Sequence, residues 1–130
     1  MPLVTDTHAL VWHMTEDSQL SKRAKRVFEK ADVSDERVVI PCIVIFELLY
    51  LIEKGKVTVD FDSFVAMVSS SANYRIEPLC LPIIELTRRI SRDIIKDPWD
   101  RLIAATAIHL KLPLITRDKT LRKVGISTVW

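Results

Sequence analysis

Short apolar runs and longer stretches with helical periodicity alternate along this chain. The apolar runs have the character of buried strands and cover residues 2–6, 37–40, 75–80, 113–116 and 126–129. Apolar residues recur at helix spacing in segments 20–31, 42–54, 61–72, 82–96 and 98–111. The alternation predicts an α/β fold, in which a mainly parallel sheet of about five short strands is covered by helices on both faces.

Several of the predicted helices carry recognisable ends. Asp60 precedes segment 61–72 as a plausible N-cap, and Gly55 follows segment 42–54 where a C-terminal cap would sit. Segment 20–31 is a basic amphipathic helix, with its positive side chains on one face: Lys22, Arg23, Lys25, Arg26 and Lys30. That basic face is expected to be an ordinary solvated surface, with phosphate contacts to a nucleic acid as the alternative.

Composition restricts the class of protein. With 130 residues, 48% hydrophobic and 28% charged, the chain is expected to form one compact domain over residues 1–130, which excludes disordered and fibrous classes. A net charge of +2 is too small to attract nucleic acid by bulk charge alone. Cys42 and Cys80 lie in apolar stretches, as buried thiols of a reducing compartment do. Neither a signal peptide nor a membrane span is visible, so we expect a cytoplasmic protein with no membrane contact.

Carboxylates stand where two of the predicted strands end. Asp6 ends the first strand, and Asp118 lies just beyond the fourth. Functional sites of parallel sheets gather at the carboxyl ends of the strands, which makes both residues candidates. Taken singly, each is equally typical of an aspartate that turns the chain or caps the next helix.

Glu47 stands alone among apolar neighbours. Residues 42–52 contain ten apolar side chains and this single acid, so the pattern predicts a helix buried on all sides. Because an unpaired buried carboxylate is strongly unfavourable, Glu47 should have a cation, an arginine or a metal as its partner, or should line a wet cleft.

A further pair of acids opens the helix at 98–111. Asp97 precedes Pro98 as an N-cap, and Asp100 follows at the third helical position. Capping alone would explain both residues. If Asp6, Glu47, Asp100 and Asp118 converge, however, two carboxylates about 4 Å apart repel by roughly 4 kcal/mol at an effective dielectric of 20. Oxygen-only ligation predicts Mg²⁺ or Mn²⁺ at such a cluster, and such a site suits phosphodiester hydrolysis.

The order of these motifs resembles the PIN domain, specifically the VapC-like toxins of toxin-antitoxin pairs. The resemblance rests on Asp6 in VTDTHALVW, on Glu47, on the run Asp97-Pro98-Trp99-Asp100-Arg101 and on Thr116-Arg117-Asp118, and it spans the chain. Trp99 stands where phenylalanine is more usual.

The resemblance implies a three-layer α/β/α nuclease that depends on Mg²⁺ or Mn²⁺ and cleaves single-stranded RNA. It implies a small antitoxin partner and, together with the aromatic chain ends, a homodimer. The metal-site acids would be Asp6, Glu47, Asp100 and Asp118. Asp97 would lie next to these ligands without binding the ion itself, and Thr116 would assist Asp118.

Because RNA is negatively charged, its binding requires positive side chains near this acidic site. Arg101 and Arg117 neighbour the expected ligands and are the candidates for phosphate contacts. Trp12 and Trp130 are expected mainly to pack in the core, with base stacking or a dimer interface as alternatives.

Other functions remain to be weighed against the nuclease. A regulatory module that binds RNA or a protein without cutting would use the same acids as caps and surface groups. A hydrolase with an aspartate nucleophile is less favoured, because His8 occupies the position where a second acid is usual. The only Gly-Lys pair lacks the upstream glycine of a phosphate-binding loop, and nothing near either cysteine suggests a nucleophilic pair.

Overall fold

A computed structural model describes residues 2–33 and 37–130. Five strands lie in these ranges: β1 (Leu3–Thr5), β2 (Val38–Pro41), β3 (Tyr74–Glu77), β4 (Leu114–Ile115) and β5 (Thr128–Val129). The α-helices are α1 (Thr7–Met14), α2 (Lys22–Val33), α3 (Cys42–Glu53), α4 (Phe61–Ser70), α5 (Leu81–Thr87) and α6 (Pro98–Leu110). A short 3₁₀ helix, Lys119–Val124, precedes β5.

The strands form one sheet in the order β3-β2-β1-β4-β5, and every pairing is parallel. Val4 of β1 pairs with Val39 on one side and with Leu114 on the other. From β1, the strands β2 and β3 therefore extend the sheet in one direction, and β4 and β5 extend it in the other. Such a reversal opens a crevice at the carboxyl ends of β1 and β4, where ligands bind in open α/β sheets.

The sheet lies inside the protein core. Every residue of β1, β2 and β4 is buried, as expected for short apolar strands covered on both faces. Helix α2 contributes Ala24, Phe28 and Ala31 to the core and exposes its basic side chains, which is the amphipathic arrangement that its sequence predicts. The predicted α/β fold with a parallel five-stranded sheet is confirmed.

Two helices differ from the sequence prediction. Helix α1 was not predicted, because its segment is apolar on most sides and shows no clear polar face. Helix α5 ends at Thr87 rather than continuing to residue 96. The guanidinium of Arg101 binds the carbonyl oxygens of Thr87 and Ile90, and these contacts stabilise the turns that replace the predicted helix.

The prediction that α3 is buried on all sides is wrong. Only Val44 and Leu48 of this helix are buried, whereas Phe46 is 53% exposed and Tyr50 is 49% exposed. Cys42 is exposed as well, and Cys80 is half-buried, so the expectation of two buried thiols is also wrong. The uniformly apolar sequence of α3 thus covers the core with one face and presents the other to solvent.

None of the helices in the described ranges is long and apolar enough to span a bilayer.

Candidate functional site

Asp6 lies where β1 gives way to α1. Its backbone N–H donates to the carbonyl of Ile115 in β4 at 3.1 Å, which continues the β1–β4 pairing by one residue. Its Oδ1 accepts the backbone N–H of Ala9 at 2.9 Å, so the side chain caps α1. Capping fixes one carboxylate oxygen and places the group at the crevice.

Thr116 and Asp118 occupy the corresponding end of β4. The hydroxyl of buried Thr116 accepts the backbone N–H of Asp118 at 3.1 Å, and the same side chain lowers the pKa of Asp6. Asp118 caps the 3₁₀ helix, because its Oδ1 accepts the backbone N–H of Thr120 at 2.9 Å and the Thr120 hydroxyl at 2.7 Å. Thr116 thereby interacts with both acids.

Asp97 and Asp100 lie at the start of α6. Asp97 Oδ1 accepts the backbone N–H groups of Trp99 and Asp100, at 2.8 and 3.2 Å, and Pro98 occupies the first turn. The capping prediction for Asp97 is confirmed. Asp100 has no capping role and directs its charge toward the cleft that Asp6 and Asp118 line.

Glu47 is half-buried on α3, and its partner is a hydroxyl. Thr7, the first residue of α1, donates a hydrogen bond from its Oγ1 to Glu47 Oε1. Glu47 is not among the residues that line the cleft, although its negative charge acts on both Asp6 and Asp100.

The cleft at the crevice has a volume of about 240 Å³. It brings together three of the four predicted acids with one of their predicted helpers and one predicted RNA contact: Asp6, Asp100, Asp118, Thr116 and Arg117. His8, Trp12, Ile103, Leu114 and Leu121 complete its walls. Residues from four separate parts of the sequence thus meet at one edge of the sheet.

The electrostatics of the cleft are dominated by negative charge. Loss of hydration raises the pKa of Asp6, with a further increase from Glu47, while hydrogen bonds from Thr116 and Ala9 and the His8 imidazole oppose the shift. Loss of hydration, together with the charges of Asp97, Glu47, Asp6 and Asp118, raises the pKa of Asp100 to about 7. Burial and the neighbouring carboxylates together therefore make Asp100 easier to protonate than an ordinary aspartate.

Within the described residues, no lysine or arginine forms an ion pair with these acids. The ion pairs found there join Lys25 to Glu29 and Arg75 to Glu77, and His13 lies 3.9 Å from Asp32. The expectation that an arginine might pair with Glu47 is therefore not met in residues 2–33 and 37–130.

The carboxylates of Asp6, Asp100 and Asp118 suit a hard divalent cation, because they are anionic and offer oxygen ligands. In the part of the chain that the structure describes, no three or more His, Cys, Asp or Glu side chains lie close enough together to hold a metal ion. The carboxylates are near enough to shift one another's pKa and are more widely spaced than ligands around an ion.

The two arginines predicted to contact RNA differ in their surroundings. Arg101 Nη2 donates to the carbonyls of Thr87 and Ile90, both at 2.9 Å, and its Nε is buried with no hydrogen-bond partner. These contacts favour a structural role for Arg101, because its guanidinium is directed into the protein. Arg117 is exposed and lines the cleft, where its guanidinium lies over the Trp12 ring.

Sequence reasoning overlooked Thr7 and gave His8 no part in the site. Thr7 follows Asp6 directly, but no local signal indicates that its hydroxyl reaches Glu47. The tilted stacking of His8 on Trp12 could have been suggested by their spacing of four residues once α1 was recognised as a helix.

The sequence matches the PIN domain family over residues 3–127. The chain belongs to the PIN domain family. Its five-stranded parallel sheet is the PIN-like sheet found in VapC structures.

Several known proteins are similar to this PIN domain chain. Ribonuclease VapC22 of Mycobacterium tuberculosis is 27% identical over 120 residues, which are 92% of this chain and 89% of that relative. VapBC2 from Rickettsia felis, solved with a DNA fragment from its promoter, has a TM-score of 0.72 at 17% identity and covers 98% of this chain and 97% of its own. VapC20 of Mycobacterium tuberculosis, described as a sarcin-ricin loop cleaving toxin, has a TM-score of 0.70 at 16% identity, with 95% of each chain covered. The two solved structures establish the similarity of fold.

Proposed function

We propose that this chain is a metal-dependent endoribonuclease that hydrolyses phosphodiester bonds in single-stranded RNA. The observation that carries the proposal is the convergence of Asp6, Asp100 and Asp118 in one cleft, where burial and the charges of the neighbouring acids raise the pKa of Asp100. A structural cluster of surface acids would be expected to pair with arginine or lysine, and these acids do not do so within residues 2–33 and 37–130. A divalent cation would offset the repulsion.

The ion would be held by Asp6, Glu47, Asp100 and Asp118, and Mg²⁺ or Mn²⁺ fits their oxygen donors. When bound, such an ion supplies activation of an attacking water and neutralises charge on the phosphate. We expect the acids to move closer together on binding, because the ion replaces their mutual repulsion with attraction.

The neighbours of each acid position its carboxylate. Thr7 donates to Glu47, Thr120 donates to Asp118, and Thr116 lowers the pKa of Asp6. Asp97 fixes the first turn of α6 and with it the position of Asp100. Hydrogen bonds that orient ligand side chains in this way tune metal sites, so Asp97, Thr116 and Thr7 are assigned positioning roles.

The named relatives support the same reaction and a protein partner. VapC22 is a ribonuclease by name, VapC20 is described as a sarcin-ricin loop cleaving toxin, and VapBC2 is a complex. We propose by this similarity that the chain is the toxin of a toxin-antitoxin pair and binds a small antitoxin. A homodimer is proposed as well, supported by exposed apolar side chains such as Phe46 and Ile84.

Cleavage of end-labelled single-stranded RNA with Mn²⁺, with and without a chelator, tests the reaction. We expect cutting that the chelator stops and that Asp6→Asn and Asp100→Asn abolish. Asp60→Asn is the matched control, because Asp60 caps α4 outside the cleft and asparagine caps equally well. Cutting that survives both cleft substitutions would assign the activity to a contaminant or to another site.

One observation favours a second candidate, a PIN-like module that binds RNA or a protein and does not cut. The described acids are more widely spaced than metal ligands, as they would be in a domain that never binds an ion. This candidate predicts that RNA binding by the wild-type chain is unaffected by Mn²⁺ and that the RNA remains intact. Metal-dependent cleavage would reject it.

A further inference from the structure

A cation and two aromatic rings form one wall of the acidic cleft. The Arg117 guanidinium carbon lies 4.8 Å from the centroid of the Trp12 ring, and the His8 ring lies 5.6 Å from it at a tilt of 50°. All three side chains line the same cleft as Asp6, Asp100 and Asp118. The wall therefore offers a flat apolar surface and a positive charge beside the proposed reaction centre.

The Trp12 ring is also held in place by a second tryptophan. Trp130 approaches it edge-on, with 5.8 Å between centroids and an interplanar angle of 63°, and both rings pack against the core. His8 and Arg117 are exposed, whereas Trp12 is half-buried. A ring that is already oriented loses little conformational freedom when a ligand stacks on it.

The charge of Arg117 is not used elsewhere in the described structure. None of the ion pairs among residues 2–33 and 37–130 includes it, although acids stand nearby in the cleft. Its contact with Trp12 is a cation–π contact at an exposed site, which is weak enough to exchange for a stronger partner. A phosphate is such a partner, because it accepts charge-assisted hydrogen bonds from a guanidinium.

Trp12 and His8 also border a second cavity. This groove of about 680 Å³ runs between α1 and residues 56–59, and Lys56 lies along it. The two aromatic residues therefore stand between the acidic cleft and the groove. A nucleic-acid strand that passes from one to the other must contact them.

Resting on the proposed ribonuclease function, we propose that His8, Trp12 and Arg117 form the subsite for the nucleotide next to the scissile phosphate. Its base stacks on Trp12 and displaces Arg117, which turns to the phosphate, while His8 borders the base. Every nucleobase has a π-face, so this subsite tolerates all four bases. It requires an unpaired nucleotide, because stacking within a duplex covers the faces of the base.

Binding of a fluorescein-labelled single-stranded RNA to the full chain tests the subsite, with Asp100→Asn as the background that leaves the RNA uncut. Trp12→Leu, which keeps apolar packing and removes the ring, should weaken binding about 5- to 140-fold, whereas Trp12→Phe should retain most of the affinity. Arg117→Ala should lower the salt slope of binding by about 1, and Arg117→Lys should preserve the slope.

A matched control lies on α3. Lys54 stands 4.9 Å from the centroid of the Tyr50 ring, which makes the same kind of contact, and neither residue lines the cleft or the groove. Tyr50→Leu and Lys54→Ala should leave both affinity and salt slope unchanged. Duplex RNA of the same sequence should bind equally to the Trp12→Leu variant and its parent.

The proposal is overturned if the parent does not bind the RNA, if Trp12→Leu binds as tightly as the parent, or if the α3 controls weaken binding equally. Thermal unfolding of each variant establishes that it is folded, and Trp12→Phe provides the comparison if Trp12→Leu is not. If RNA binding depends on Trp12 but the wild-type chain never cleaves RNA, the subsite is supported and the nuclease is rejected. If the wild-type chain cleaves RNA but binding does not depend on Trp12, the nuclease is supported and the subsite is rejected.

Discussion

The Thr7 hydroxyl donates a hydrogen bond to Oε1 of Glu47, forty positions further along the chain. This contact joins the start of α1 to the middle of α3, and it gives a half-buried carboxylate a hydroxyl donor, where the sequence predicted a cation, an arginine, a metal or a wet cleft. The residue directly after one proposed ligand thus positions another.

We expect Thr7→Val to lower the free energy of unfolding by about 1–3 kcal/mol, because the isosteric change leaves Glu47 without its donor. Urea denaturation measures the effect. Thr106→Val is a matched control, because Thr7 and Thr106 are both 2% exposed. The Thr106 hydroxyl donates to the Leu102 carbonyl of its own helix. An equal loss in both variants would show that the Thr7–Glu47 contact has no special weight.

Divalent cations should stabilise the folded protein. An ion that binds only the folded state at a hundred times its dissociation constant adds about 2.7 kcal/mol. Asp100→Asn should reduce this stabilisation and, without metal, should unfold at a higher temperature than the wild type, because one repelling charge is gone. Thermal melts with Mn²⁺, Mg²⁺ and chelator measure both effects. Asp60→Asn should respond to metal as the wild type does, and an unchanged melting temperature of the wild type in either ion would contradict the metal site.

Substitution of Arg101 should mainly affect the stability of the fold, whereas substitution of Arg117 should mainly affect RNA affinity. Arg101→Lys should lower the free energy of unfolding by about 2 kcal/mol, because an ammonium cannot reproduce two bonds from one guanidinium nitrogen to Thr87 and Ile90. Arg117→Ala should change stability by less than about 1 kcal/mol, since that side chain is exposed. Urea denaturation and RNA binding of both variants give the comparison. A large loss of affinity in folded Arg101→Lys would restore its predicted role in RNA contact.

Stability should depend on pH through His13. Burial lowers the pKa of His13 below its ordinary value of 6.5, and Asp32 and other nearby acids oppose the shift only in part. The unfolded chain therefore binds the proton first as pH falls, so stability is full above about pH 6.5 and decreases below it. The His13 ring stacks on Phe28 at 4.3 Å, and His13→Phe keeps a ring there without the titration.

We accordingly expect His13→Phe to lose less stability than the wild type between pH 7.5 and pH 5. Urea denaturation across that range measures the difference. Parallel pH profiles for the two proteins would show that His13 makes no contribution.

Local sequence features predicted most of the fold. The apolar runs specified the five strands, and the Asp60, Asp97 and Gly55 positions matched helix ends that the structure contains. These features succeed because capping and strand burial depend on neighbours within a few residues. The same reasoning missed α1, whose apolar residues surround the helix, and extended α5 beyond Thr87, where the actual end depends on Arg101 from α6.

The sequence by itself supplied the acids and their positions at strand and helix ends, which are properties of single segments. Only the tertiary structure decided that Thr7 is the partner of Glu47, that Arg101 is directed inward, and that Trp12 stands between cleft and groove. The physical reason is that these relationships join segments that approach one another only after the sheet has formed. A hydrogen bond between residues forty positions apart leaves no periodic trace in either segment.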